Sequence, residues 1–124
     1  MDAPPSAGFW DYLDQLVAAC PVIIDRPGNT PHPRYPDIVY PLDYGYLEGT
    51  SAADGGGIDV WLGASGTHDL PAVIVTIALH KRDAEIKILL GCTEEEIQTI
   101  LDFHNGKSMR AILVRRPIIQ GGKI

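Results

Sequence analysis

Cysteine is scarce: Cys20 and Cys92 are the two in the chain. With no CxxC or Cys/His spacing, a disulfide framework and a thiolate zinc site are excluded. Two buried free thiols in a reducing cytoplasm are expected instead. Long apolar runs are also missing. None reaches the roughly 18 residues of a spanning helix, so no membrane role is expected. The opening MDAPPSAG has neither a basic n-region nor an apolar h-region, so it does not read as a secretory leader. Basic residues are few, ten against sixteen acidic, for a net charge of −6 and a pI near 5.0. A nucleic-acid module normally carries a basic stripe, so that class is not expected.

What is present fits one soluble globular domain spanning residues 1–124. The mass is 13.5 kDa, with 45% hydrophobic and 21% charged residues, which leaves no room for a second core and excludes disorder. Thirteen glycines and ten prolines predict many turns and short strands. Charge is uneven. Residues 1–59 hold nine acids and two bases, whereas the remainder holds eight bases and seven acids. An acidic first half is compatible with cation binding, and equally with plain solubility.

Residues 1–8 read as a frayed tail. Residues 9–19 place Phe9, Leu13, Leu16 and Val17 on one helical face, and Pro21 ends that helix. VIID at 22–25 reads as a strand. Four prolines between 26 and 37 demand a stiffened loop. Strands are expected at 43–47, 58–62, 72–79, 85–90 and 109–114, with a charged hairpin tip at HKRDA. Thr93 with Glu96 forms a capping box for a helix that Asn105-Gly106 stops. The fold class is α+β: a small closed β-barrel of five to six mostly antiparallel strands, with an N-terminal helix and a helix before the last strand. Closure is expected because it removes strand edges.

Residues 40–63, YPLDYGYLEGTSAADGGGIDVWLG, carry the chemistry. Asp54-Gly55-Gly56-Gly57 disfavours regular structure and permits close backbone approach to a ligand. Asp54 on that loop and Asp59 on the next strand converge if the glycines fold the chain back. Two such carboxylates suit a hard cation such as Mg²⁺. The competing reading is a simple turn with Asp59 facing solvent. Tyr40, Tyr44 and Tyr46 alternate with period two and share a strand face.

YPLDYGY followed by DGGGIDV resembles the family I soluble inorganic pyrophosphatases, whose signature is a YPxNYGF-type strand and a D-G-D-P-x-D-V loop. The resemblance covers roughly residues 22–116. It implies an OB-like barrel that binds Mg²⁺ through aspartates and hydrolyses diphosphate with metal-activated water. It implies Asp54 and Asp59 as metal ligands and catalytic residues, with Asp83 as a further ligand. Asp25 stands where the family has an opening glutamate and is implied as a base. Tyr44 matches the phosphate-binding tyrosine. His32 and Arg34 of HPRYP, and Lys81, are the candidate phosphate contacts. Gly56 replaces the family's middle aspartate, Asp43 its asparagine, and His104-Asn105 its tyrosine-lysine pair. The family's habit and the apolar segment 9–19 with Trp10 lead us to expect a homo-oligomer.

Three functions stay open at this level: Mg²⁺-dependent diphosphate hydrolysis, hydrolysis of another small phosphate ester or nucleotide, and a non-catalytic phosphate-binding or assembly module on the same barrel. Arg34 is suited to bidentate phosphate binding and equally to pairing with surface acids. His68 and His104 read as surface residues.

Overall fold

The computed structural model describes residues 5–118. The order is α1 (Pro5–Ala19), β1 (Val22–Arg26), β2 (Asp43–Leu47), β3 (Ile58–Leu62), β4 (Ala72–Ala78), β5 (Asp83–Leu90), α2 (Glu94–Phe103) and β6 (Met109–Arg115). The expected α+β class and the helix placements hold. β2 and β3 fall where the alternation put them. Pro5 is tolerated because the first helical turn needs no N–H from it, so residues 5–8 belong to α1 rather than to a frayed tail. Residues 1–4 lie outside the described residues.

The six strands form one mixed sheet in the order β1-β2-β3-β5-β4-β6. β3 and β5 run parallel, and the other four pairings are antiparallel. The sheet is open: among the described residues β1 and β6 are its two edges and do not pair. Closure is not needed to protect β1. β1 is five residues long, sits between Pro21 and Pro27, and carries a bulge where Ile24 pairs with Gly45 but Arg26 with Tyr44. Short length, proline and a bulge each discourage further pairing.

Each face of the sheet carries one helix. On one side α1 packs Trp10, Leu13, Leu16 and Val17 onto Leu47, Val60, Val73 and Ile88. The anchor is Trp10, buried at 5% exposure, while Phe9 stays 44% exposed, so the buried stripe is rotated from the expected one. The Arg116 guanidinium lies 5.8 Å over the Trp10 ring and binds the Asp14 carboxylate with two bonds. On the other side α2 packs Ile97 and Ile100 against Trp61, Ile74 and Leu89. Its start is the expected capping box between Thr93 and Glu96, and Glu96 also accepts from the Ala64 N–H. Asn105 fastens its end to β6 through Ala111.

Candidate functional site

The face under α2 turns polar where β2, β3 and β5 meet. Period-two alternation puts Tyr44, Asp59, Glu85 and Lys87 on that face, and the register aligns Asp59 with both Tyr46 and Lys87. Lys87 is 4% exposed. Its ammonium donates to Asp59 Oδ2 at 2.7 Å, Tyr44 Oη at 2.8 Å and Glu85 Oε1 at 2.9 Å. An ammonium has three donors, so every one is used. Burial by itself would push Lys87 down, but the Tyr44 oxygen and the Asp59 carboxylate outweigh it and hold the cation protonated. Burial raises the Tyr44 phenol well above its usual range. Tyr44 thus keeps its proton: its oxygen accepts from Lys87, and the Asp59 carboxylate is the hydrogen-bond partner of its O–H.

The glycine loop folds back as its composition requires. Gly55 has φ +89°, which favours glycine. Asp54 Oδ1 accepts the Gly56 N–H at 2.9 Å. That bond, followed by a contribution from the neighbouring Glu85 carboxyl, lowers the Asp54 pKa. Gly57 is required for packing, since a Cβ there would press on the Tyr46 ring; at Gly56 a Cβ would meet only Asp54 Oδ1, at an ordinary 3.5 Å. Glu85 links the two aspartates: it neighbours Asp54 and shares Lys87 with Asp59.

The remaining expected residues are more scattered. Asp25 is the extra residue of the β1 bulge; its side chain is half exposed and its carboxylate lies 4.0 Å from Arg26. The bulge puts Arg26, not Asp25, opposite Tyr44, and Arg26 lies close enough to Tyr40 to influence its phenol. Asp83 shares a strand face with Glu85 and Lys87, but its carboxylate pairs with the exposed Lys81 at 3.6 Å. His32 Nδ1 accepts the N–H groups of Arg34 and Tyr35, and its ring lies against Tyr35 and Tyr40. That work stiffens the loop. Arg34 is exposed and lies 5.7 Å from the centre of the Tyr35 ring.

Glu85, Lys87 and Arg26 went unread in the sequence. The available signal was EIKILL: two charged residues spaced by two, in phase with Leu89, on the inward face of a strand. His104 is a correction. It is buried, not superficial, and its Nε2 accepts the Trp61 indole N–H at 3.0 Å. Burial, with the Lys87 charge second, pushes its pKa down to about 3. The cysteines are free and half-buried rather than fully buried, and burial, then Glu96, pushes Cys92 up to about 12.

The donors here are hard oxygens, the kind Mg²⁺ prefers. Among the described residues no three His, Cys, Asp or Glu side chains form a group that could hold a metal ion. Mg²⁺ commonly takes one or two protein carboxylates and completes its shell with water and substrate phosphate; Asp59 and Glu85, or Asp54 and Glu85, can supply such a pair. Among the described residues no helix is long and apolar enough to cross a membrane. No protein-family model matches the chain, and no curated protein matches it.

Proposed function

We propose that this chain is a Mg²⁺-dependent hydrolase of diphosphate, releasing two phosphates. The observation that carries the reading is the Lys87 centre. A buried ammonium, a protonated phenol and carboxylates from three adjoining strands meet at one place, next to the acidic glycine loop. Tyr44, Asp54 and Asp59 of this centre come from the stretch whose sequence resembles the pyrophosphatases.

Each group has a task that suits its environment. Asp59, Glu85 and Asp54 would hold the metal, pairwise with phosphate oxygens. A Mg²⁺ held by these carboxylates would supply charge screening for the diphosphate and a more acidic water. Lys87 would steady the departing phosphate by charge alone, and Tyr44, kept protonated, would turn its O–H from Asp59 to the phosphate. Asp54 is exposed and kept ionised by the Gly56 N–H, so it can orient the attacking water. Lys81 and Arg34 are exposed and would serve as cationic contacts for an arriving anion. The site would be presented by one face of an open sheet rather than by a closed barrel. A soluble intracellular enzyme is the setting we assign to it.

The test is phosphate release from diphosphate with and without Mg²⁺. Turnover that requires the ion, and falls at least ~10-fold in Asp54→Asn with an unchanged melting curve, supports the reading. A Cβ at Gly56 meets only Asp54 Oδ1 at an ordinary 3.5 Å, and Gly56→Asp is expected to raise the rate by adding a carboxylate. No release by the wild type with Mg²⁺ or Mn²⁺ removes the assignment. Release from a nucleoside diphosphate but not from free diphosphate moves it to the ester and nucleotide class.

A further inference from the structure

The face of the sheet that carries α1 is only half covered. α1 lies over Val60, Val73, Ile88 and Leu90. Along β4, β5 and β6 the same face continues past the helix through Ile77, Leu79, Ile86, Ile112 and Val114, all exposed. Register confirms one continuous surface. Ile86, Val75 and Ile112 form one row across the three strands, and Ala84, Ile77 and Arg110 the next. Leu79 is 74% and Ile112 65% exposed. Where helix and bare strands diverge they leave a cleft of about 370 Å³, lined by Phe9, Leu13, Val75, Ala84, Ile86 and Ile88 among others.

α1 is the complementary object. Only Asp11 and Asp14 of its fifteen residues carry charge, and Asp14 is engaged by Arg116. Its outward stripe holds Tyr12, 77% exposed, with Gly8, Gln15 and Ala19. A helix with so little polar surface normally buries more than one face.

We infer that the bare half of the sheet is covered by α1 of a second copy of this chain, in a two-fold dimer where each helix is held between two sheets. Both halves of that interface are displayed by the same chain, which is what an isologous contact requires. Taking roughly 200 Å² for a fully exposed large side chain, the five sheet residues with Phe9 and Tyr12 present roughly 800 Å², the share one partner gives to a standard interface. Charge agrees with the arrangement. Arg110 lies at the bare end, with Lys107 and Arg82 on the adjoining turns, and Asp11 is an exposed carboxylate on α1 that, among the described residues, forms no direct ion pair and feels Arg116 only at longer range. The two-fold brings the basic end of one copy to the acidic helix of the other. The site under α2 lies on the opposite face, so this inference stands independently of the hydrolase reading.

Sedimentation of the full chain across a micromolar series tests it. The wild type is expected at about 27 kDa, twice the 13.5 kDa chain mass. Ile112→Lys and Tyr12→Glu are each expected to raise the dimer Kd at least ~100-fold by burying an unpaired charge. Arg110→Glu is expected to weaken association, and Asp11→Arg in the same chain to restore it. Restoration also proves that the single variant was folded. A 13.5 kDa species at every concentration overturns the inference, as does a dimer that both apolar-to-charged variants leave intact. A monomer that associates only after residues 119–124 are deleted overturns it too, because the chain's own tail then covers the face.

Discussion

Replacing Lys87 by methionine separates the energetic role of the buried ammonium from its volume. Methionine has nearly the same length, so cavity and strain costs stay below about 1.5 kcal/mol. The larger effect falls on the partners. Asp59 and Glu85 side chains are 25% and 10% exposed, and both lose their counter-charge. Removing one member of a buried pair typically costs about 3–5 kcal/mol. Asp59 recovers some hydration from its exposure, so about 3 kcal/mol is expected. With roughly 2.1 cal/mol/K of unfolding entropy per residue over 124 residues, that loss lowers Tm by about 10 °C. The assay is urea and thermal unfolding of Lys87→Met beside the triple variant Lys87→Met, Asp59→Asn, Glu85→Gln. With no charge left to strand, the triple variant is expected to recover at least half of the lost stability. Phosphate release should be absent from both. A single variant that loses under about 1 kcal/mol, or a triple variant with no recovery, refutes the charge-centred account.

Two further predictions follow from the geometry around this centre. His104 has a folded pKa near 3 against an ordinary 6.5. Below pH 6.5 the unfolded chain takes up a proton that the folded chain refuses until about pH 3, so stability is present above 6.5 and falls as pH drops through that window. The slope reaches about 1.4 kcal/mol per pH unit. Urea melts at pH 7 and pH 5 should show the loss, and His104→Phe should flatten it while paying a fixed cost for the unpaired Trp61 N–H; equal wild-type stability at the two pH values would disprove this. At Gly45 an added Cβ would overlap the Ile23 carbonyl oxygen. Gly45→Ala is therefore expected to cost about 3 kcal/mol or more by prising β1 from β2, seen as a lowered urea midpoint; a change within about 0.5 kcal/mol would show that the bulge relaxes freely.

Much of this was legible in the chain. Strand and helix positions followed from alternation, the prolines and the Thr93–Glu96 capping box, because those signals are local. For Asp54 and Asp59 the sequence left convergence and a simple turn both open; in the fold the two are linked through Glu85, which neighbours Asp54 and shares Lys87 with Asp59. The open edge was not legible, because closure depends on pairing between β1 and β6, which are distant in sequence. Lys87 was hidden for a related reason. A lysine at a period-two position looks solvent-facing until the register shows Asp59 and Tyr44 arriving from other strands. His104 misled because a histidine beyond a helix end is usually wet, and only its reach to Trp61 across 43 residues keeps it dry. Asp25 and Arg26 exchanged prominence through one inserted residue, a displacement that no local pattern announces.

The parallel contact between β3 and β5 has a consequence for assembly. β1 to β3 form one antiparallel meander, and β4, β5, α2 and β6 form a second unit closed by its own hairpin and crossover. The seam between them is β3 against β5. Tyr44 and Asp59 come from one side, Glu85 and Lys87 from the other. Neither unit can hold the ammonium in its socket alone, so the polar centre exists only after the slow, long-range docking step is complete. Burial of Lys87 is therefore a marker of the finished molecule, and a chain nicked in the 63–71 segment can regain it only by rejoining its two pieces along that seam.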